Sequence, residues 1–387
     1  MFQDKYIFTQ LVSFLNRSKF NRLVAKYGGD KYVKHFTCWN QLLALMFGQL
    51  SNRDSLRDLI IALDAHHSKC YHLGMGKNVS KSSLARANQD RDYHIFEEYA
   101  YYLVSQARQK RIGNIFNLGG NVFAFDSTTI DLCLSVFWWA KFRKKKGGVK
   151  IHTLYDVETQ IPTFFHITEA FVHDSKAMKE IPYEIGSYYI FDRAYNNFKM
   201  LYKIHQIGAY FVVRAKKNLQ SKPIKWKRRL PKNVLSDMII ELTGFYPKQH
   251  YPETLRLVRY WDQEQKREFV FLTNAMHISA IQVAELYKNR WQVELFFKWL
   301  KQHLKIKKFW GTTENAVRIQ IYTAICTYCL VAIVQHDMQL DRSTYEVLQI
   351  LSISLTDKIQ MRELFNKTKF QNDKERFRLN EPSLFDF

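Results

Sequence analysis

The chain has 387 residues, 47% of them hydrophobic, with few Gly and Pro, which is enough apolar material for two or three domains with real cores. Its formal net charge of +22 and pI of about 9.6 point to a polyanionic partner, with nucleic acid ahead of an anionic lipid surface. The five Cys show no disulfide framework, and the N-terminal "MFQDKYIFTQLVSF" lacks the long apolar core of a signal peptide.

Residues 1–110 are predicted to be helical, because apolar residues recur at helical spacing in "YIFTQLVSFL", "WNQLLALMFGQL" and "LRDLIIALDAH". Thr37 and Ser51 stand where N-caps belong. "HHSKCYH", residues 66–72, gathers His66, His67, Cys70 and His72. Four ligands so close in sequence can hardly surround one ion tetrahedrally, and no matching cluster follows, so zinc is not expected. "NVSKSSLARANQDRDYHIFEEYA" predicts a short, Ser-capped polar helix and then a longer one. A short polar helix held by apolar ones could enter a major groove, although an ordinary solvated helix has the same composition.

From residue 121 the period changes. "NVFAFD", "VKIHTLYDV", "IPTFFHITEA", "SYYIFD" and "AYFVVRA" are strand-like, with helical "NFKMLYKIHQIG" between the last two, which predicts an α/β domain with a mixed sheet. Within it, "KFRKKKGGVK", residues 141–150, carries six basic residues and no acid. It reads as a turn whose Lys144, Lys145 and Lys146 contact phosphate. Residues 214–232 hold nine Lys or Arg and no acid. With the strand-like "IIELTG", "TLRLVRYWD" and "REFVFLTN" behind them, they read as a basic β-rich insertion. The chain is helical again from 278. Its longest uncharged stretch, 17 residues between Arg318 and His336, contains Gln and Thr and falls short of a span of roughly 20 residues, so a buried helix and no membrane association are expected. Cys326 and Cys329, a lone C-x-x-C inside it, read as core.

Two apolar runs, "NVFAF" and "SYYIF", each end in a carboxylate, Asp126 and Asp192. Buried strands that both deliver Asp at their last residue suggest one shared site at the carboxyl ends of the strands. Close carboxylates repel unless a cation joins them, and a pair of Mg²⁺ or Mn²⁺ ions would satisfy oxygen ligands and serve attack on a phosphodiester. A third ligand is offered by "YKNRWQVELFFKWLK". Tyr287, Arg290, Glu294 and Lys301 are offset by 3, 4 and 7 residues, so on one helix they fall within roughly 60° of one another. Arg193, Lys298, Lys305, Lys307 and Lys308 are further phosphate candidates. His173 and Asp174 precede the fourth strand as candidates for supporting the carboxylates.

"FDSTTI", "FDRAYNNF" and Y-x-x-R-W-x-x-E-x-x-x-x-x-x-K, together with "GGVKIHTLYD", "FVHDSKAM" and "FVFLTN", resemble the DDE transposases of the "insertion sequence four" group of bacterial mobile elements. The resemblance extends over the whole chain. It implies a ribonuclease H-like catalytic core with an inserted β-rich subdomain, preceded by an all-helical DNA-binding region. It also implies cut-and-paste chemistry on double-stranded DNA, dimers that pair two transposon ends, and residence in the bacterial cytoplasm at the nucleoid. Carried onto this sequence, Asp126, Asp192 and Glu294 become the catalytic, metal-holding triad, and Tyr287, Arg290 and Lys301 complete the signature. The expected divisions are residues 1–112 (helical, DNA-binding), 113–213 (first part of the core), 214–276 (insertion), 277–340 (catalytic helix and the next) and 341–387 (helical tail, a dimerisation candidate). In hairpin-making relatives a Trp of the insertion, just before a Leu-Thr pair, stacks a flipped base. The pair here is Leu272-Thr273 and the matching position is Phe269, with Trp261 the other candidate and Trp291 a third. A nuclease of the same fold and a non-catalytic DNA-binding derivative are the alternatives.

Overall fold

The computed structural model describes residues 5–76, 79–111, 113, 115–133, 135–143, 146–303 and 308–367. Six helices come first: α1 Ile7–Val12, α2 Arg17–Lys26, α3 Cys38–Leu50, α4 Leu56–Ala65, α5 Lys81–Asp90 and α6 His94–Lys110. Then follow β1 Val122–Leu132, β2 Lys141–Arg143, β3 Lys146–Asp156, β4 Ile161–Glu169, α7 Asp174–Ala177, β5 Tyr188–Phe191, α8 Phe198–Gln206 and β6 Tyr210–Arg214. Next are β7 Ser221–Trp226, β8 Val234–Leu242, α9 Phe245–His250, β9 Leu255–Asp262 and β10 Arg267–Thr273. Five helices close the described chain: α10 Ala280–Lys288, α11 Trp291–His303, α12 Glu314–Asp337, α13 Thr344–Ser354 and α14 Met361–Lys367.

Among the described residues one ten-stranded sheet runs in the order β2-β3-β1-β5-β6-β10-β9-β8-β7, with β4 also on β3. β1, β5 and β6 are mutually parallel; β1–β3, β3–β4 and β6–β10 are antiparallel. The 214–276 segment therefore extends the central sheet, because β10 pairs with β6 through Phe271↔Arg214 to Thr273↔Val212. β7 lies inside the basic run. Its Pro223, Lys222 and Lys225 suit the outer position it takes, since an edge strand tolerates Pro and charge.

Side-chain alternation divides the sheet's two faces. Val122, Ala124, Tyr188, Ile190 and Val212 face the terminal helices. Phe123, Phe125, Tyr189, Phe191 and Val213 pack under α7 and α8. The N-terminal helices share the first of these cores with α12 and α13. The α3 residues Leu42 to Phe47 are buried on every side, as befits a helix apolar all round. Gln49 Nε2 donates to Gln320 O at 3.1 Å, and Thr327 Oγ1 donates to Gln49 Oε1 at 2.9 Å. At the chain's start, Ile7 N and Phe8 N donate to Asp357 O and Leu355 O, both at 3.0 Å. A fragment of residues 1–112 lacks these partners. It is expected to show no cooperative thermal melt by circular dichroism, whereas the full chain melts cooperatively. A sharp melt from the fragment would show that these helices carry a core of their own.

Local signals hold unevenly. Thr37 caps α3, and Ser80 caps α5, as expected. Ser51, expected as an N-cap, instead ends α3, and Ser55 caps α4 by accepting from Asp58 N at 3.1 Å. Cys326 and Cys329 lie fully buried in α12, where burial pushes both thiols up.

The insertion contains a buried ion pair. Arg256 Nε and Nη2 each donate to Asp237 at 2.7 Å, and Nη1 donates to Ala275 O at 3.2 Å and Ile278 O at 2.6 Å. These bonds fix the segment that leads into α10. Burial raises the Asp237 carboxyl, but the bonds and charge of Arg256, with Lys227, outweigh it, so its pKa is lowered. Arg256→Met leaves that buried carboxylate with Lys227 alone and is expected to cost about 3 kcal/mol in urea unfolding at neutral pH. A group with a lowered folded pKa loses its stabilising contribution as pH falls through the carboxylate range, so the deficit narrows in acid. A deficit that is constant with pH would remove the ion pair as its cause.

Candidate active site

The parallel ladder ends in step. Its last pairs are Phe125↔Phe191 and Phe191↔Val213, so Asp126 and Asp192 are the next residues of neighbouring strands, on the face turned towards α10 and α11. The sequence suggested that β1 ends at Asp126. It continues to Leu132, because Thr128, Thr129 and Ile130 are β-branched and pair on with β3, from Asp126↔Thr153 to Leu132↔Gly147. Only the β1–β5 ladder stops there.

The expected single helix bearing Tyr287, Arg290, Glu294 and Lys301 is two, α10 and α11. Between them the bonds shorten to i→i−3, with Arg290 N to Tyr287 O at 3.1 Å and Val293 N to Arg290 O at 3.2 Å. Asn289 causes this locally: its Nδ2 bonds back to Glu285 O at 2.9 Å, and its Oδ1 accepts from Gln292 at 2.9 Å, offering the backbone an alternative to helix.

The signature side chains still converge. Tyr287 OH donates to Asp192 Oδ1 at 3.1 Å, and its ring centroid lies 4.8 Å from that of Phe271. Burial pushes the Tyr287 phenol up to about 12. Arg290 Nη1 donates to Asp126 Oδ2 at 2.8 Å, and Nη2 donates to Glu294 Oε1. Ser127 N gives Asp126 Oδ1 a further bond of 2.8 Å. Burial pushes Asp126 up to about 6 against the opposing pull of Arg290, with the charges of Glu294 and Asp192 adding to the rise. Arg290 is partly buried and held above its usual range by Asp126 and its other anionic neighbours, which outweigh burial. Behind Asp126, on the other sheet face, Ser127 Oγ donates to Asp174 Oδ1 at 2.7 Å, and Lys150 Nζ reaches the same oxygen at 3.0 Å. Asp174 thus braces the residue after Asp126. His173 caps α7 instead, accepting from Ser175 N at 3.2 Å.

Lys298 is exposed on the Glu294 side of α11, and Lys301 follows one turn on, partly buried. Arg193 sits directly after Asp192, its Nε buried without a hydrogen-bond partner. Trp291 is partly buried at the start of α11. Lys308 bonds Asp54 at 3.3 Å. Lys144, Lys145, Lys305 and Lys307 lie outside the described residues, and Lys146 opens β3. Phe269 differs from expectation. It is 6% exposed, with the guanidinium carbons of Arg214 and Arg267 at 5.1 and 4.4 Å from its ring centroid. Those cations cover the surface a base would need. Trp261 is 40% exposed, but it pairs with Glu268 and so lies on the sheet face opposite Phe269 and the carboxylates. Arg214 and Arg267 were missed as site residues because the first was read as part of a basic run. The signal was there: "YFVVR" is a third apolar strand ending in a charge.

Residues 117–330 match the transposase DDE domain, and residues 3–76 match a domain of unknown function. A putative transposase (y4zB) of Sinorhizobium fredii is 31% identical over 288 residues, 73% of this chain and 78% of that protein. A probable transposase for insertion sequence element IS5377 of Geobacillus stearothermophilus is 31% identical over 53% of this chain and 54% of its own. A putative transposase for insertion sequence element IS4SA of Synechocystis is 26% identical over 73% and 80%. Among solved structures, a piggyBac transposase synaptic complex with hairpin DNA aligns with a TM-score of 0.45 at 12% identity, covering 96% of this chain and 82% of that one. Carboxylates at neighbouring parallel strand ends, within a matched DDE domain, define the class. The chain belongs to the DDE transposases, of the insertion-sequence-four kind.

A DDE domain implies divalent metal. Among the described residues no three His, Cys, Asp or Glu side chains converge on one point as they stand. The cation between Asp126 and Glu294 is the Arg290 guanidinium. The donors are nonetheless all hard carboxylate oxygens that need a positive charge among them, which fits Mg²⁺ or Mn²⁺.

Proposed function

We propose that this chain binds the terminal inverted repeats of an insertion sequence, cuts the DNA ends and joins the freed 3′-hydroxyls to target DNA, on a ribonuclease H-like core. The observation that carries the reading is the meeting of Asp126 and Asp192, at adjacent parallel strand ends, with Arg290 and Glu294 from the α10–α11 corner. The strand order β4-β3-β1-β5-β6, antiparallel for the first three and then parallel, supports the core assignment. The net charge of +22 supports a DNA partner, and action in the bacterial cytoplasm at the nucleoid is part of the proposal. Pairing of two ends by a homodimer belongs to the same reading.

Asp126, Asp192 and Glu294 would hold a pair of Mg²⁺ or Mn²⁺ ions, which when bound activate the attacking oxygen and neutralise charge at the scissile phosphate. Tyr287, protonated at any working pH, keeps Asp192 oriented by donating to it. Ser127 N and the Asp174 brace do the same for Asp126. Arg290 and the Lys298 ammonium supply fixed positive charge for phosphate oxygens. α5 presents Lys81, Ser82, Ser83, Arg86 and Gln89 to solvent and is the element suited to read base edges.

The test is incubation of the full chain with Mg²⁺ and DNA carrying the element's own terminal repeat. End cleavage followed by a strand-transfer product is expected. Cleavage without joining would identify a nuclease, and binding alone a non-catalytic derivative.

A further inference from the structure

The loop between β1 and β2 presents a tryptophan to solvent. In "VFWWA", residues 136–140, Phe137 and Trp139 are docked and Trp138 is not. The Phe137 ring centroid lies 6.4 Å from that of Phe309, and Trp139 Nε1 donates to Thr312 O at 2.8 Å. Both side chains pack against the core shared with the terminal helices. The backbone turns tightly, with Phe137 N donating to Cys133 O and Ala140 N to Phe137 O, each at 2.9 Å. Trp138, between the two anchors, is 76% exposed. A single apolar side chain on a surface is ordinary, but an indole this bare, on a backbone held from both sides, offers a flat apolar face that the fold itself does not use.

The register fixes where this tryptophan stands. Gly148 N donates to Ala140 O at 2.8 Å, and Gly148 pairs with Asp131. The loop therefore returns beside Asp131, which lies roughly 17 Å along β1 from Asp126 at the usual strand rise. Phe309 and Thr312 follow α11, so the loop folds onto the sheet face that carries the carboxylates. Asn315, just past Thr312, donates Nδ2 to Asn88 O at 3.0 Å and to Gln89 O at 3.2 Å, at the end of α5. Trp138 thus lies between the solvent-facing residues of α5 and the carboxylates, and a duplex held at both would pass over it. The chain directly after the loop, "KFRKKKGGVK", has six basic residues and no acid. That run suits a polyanion and repels a second copy of a chain whose net charge is +22.

We propose that Trp138 is a wedge. Its indole inserts at one base step of the transposon-end duplex, between the tract held by α5 and the cleavage site, and kinks the DNA towards the carboxylates. The proposal rests on the transposase reading for the identity of its ligand. At about 3.4 Å per base step, the wedge stands roughly five steps from the scissile phosphate. Unstacking a step costs free energy, and stacking on an indole returns part of it. The anchoring of Phe137 and Trp139 keeps the indole from folding away when the step resists.

Binding of the full chain to the terminal-repeat duplex, without metal, tests it, with a single mismatch moved through the duplex one position at a time. A mismatch unstacks its step in advance, so wild type is expected to bind roughly tenfold tighter when the mismatch lies at the wedge step, and no tighter at other positions. Trp138→Ala should lose that peak while melting as wild type does. Trp138→Phe, with a smaller ring, should keep the peak at the same position and lower it. A profile with no peak in wild type, or the same peak in Trp138→Ala, would overturn the wedge. So would a changed sedimenting mass of DNA-free Trp138→Ala, which would assign the indole to a contact between copies. No cleavage is needed. A chain that shows the peak yet never cuts refutes the catalytic reading alone, and a chain that binds no terminal-repeat duplex refutes both.

Discussion

Asp126→Asn is expected to abolish cleavage of terminal-repeat DNA, by at least about 10³-fold, while end binding stays nearly unchanged. The substitution keeps the shape of the side chain and an acceptor for Ser127 N, and removes the charge that a metal ion needs. Asp192→Asn and Glu294→Gln should behave alike, although their surroundings differ: Asp192 is held by Tyr287 and Glu294 by Arg290. Glu285→Gln is the control. Glu285 is exposed on α10, the helix before the one that carries Glu294, and has no part in the cluster. Cleavage rates are read on denaturing gels and binding by gel shift. Normal cutting by Glu294→Gln would remove it from the triad. A matched loss of binding in all three variants would mean that they damage the fold or the DNA surface instead.

The carboxylates were legible because burial leaves a strong trace. A strand apolar on both faces that stops at Asp has few ordinary explanations, and the two runs point at each other once the strands are known to be parallel. Glu294 was legible through spacing, even though the helix that the spacing assumed is interrupted at Asn289. The interruption itself was hidden, since a single Asn is tolerated in most helices and only its bonds to Glu285 O and Gln292 show it competing. The continuation of β1 was hidden for a similar reason: the apolar run stops at Asp126, and nothing along the chain shows that β3 lies opposite the residues that follow. Two larger features could not be read along the chain at all. An apolar helix such as α3 looks the same whether it packs on its sequence neighbours or on α12, hundreds of residues away, so the N-terminal helices looked like a unit of their own. Arg214 was concealed by composition, because nine basic residues between 214 and 232 invite one explanation for all of them. The register of β5 with β6 separates the first from the rest.

Arg290→Met is expected to tighten Mn²⁺ binding to the protein without DNA while lowering cleavage by about 10²-fold or more. The two effects have opposite signs because one guanidinium does two things. It bridges Asp126 and Glu294 and supplies positive charge between the carboxylates that would hold a metal ion. Giving up a charge-assisted bond costs roughly 1.5–3 kcal/mol, and Arg290 is only partly buried, so its removal should strengthen Mn²⁺ binding by roughly tenfold. During cleavage the same group is the cation nearest the carboxylates that is available to phosphate oxygens, and Met cannot replace it. Acidity sets the range in which the comparison is clean. Asp126, pushed up to about 6 by burial, must be ionised to hold a metal, so affinity in the wild type should fall as pH drops through that value. Arg290 opposes the rise, so in the Met variant the fall should begin at higher pH, and the tightening should be largest in mildly alkaline buffer. The free-ion EPR signal of Mn²⁺ measures both. Weaker Mn²⁺ binding in the variant across the whole pH range would mean that Arg290 orients the carboxylates for the metal and does not compete with it.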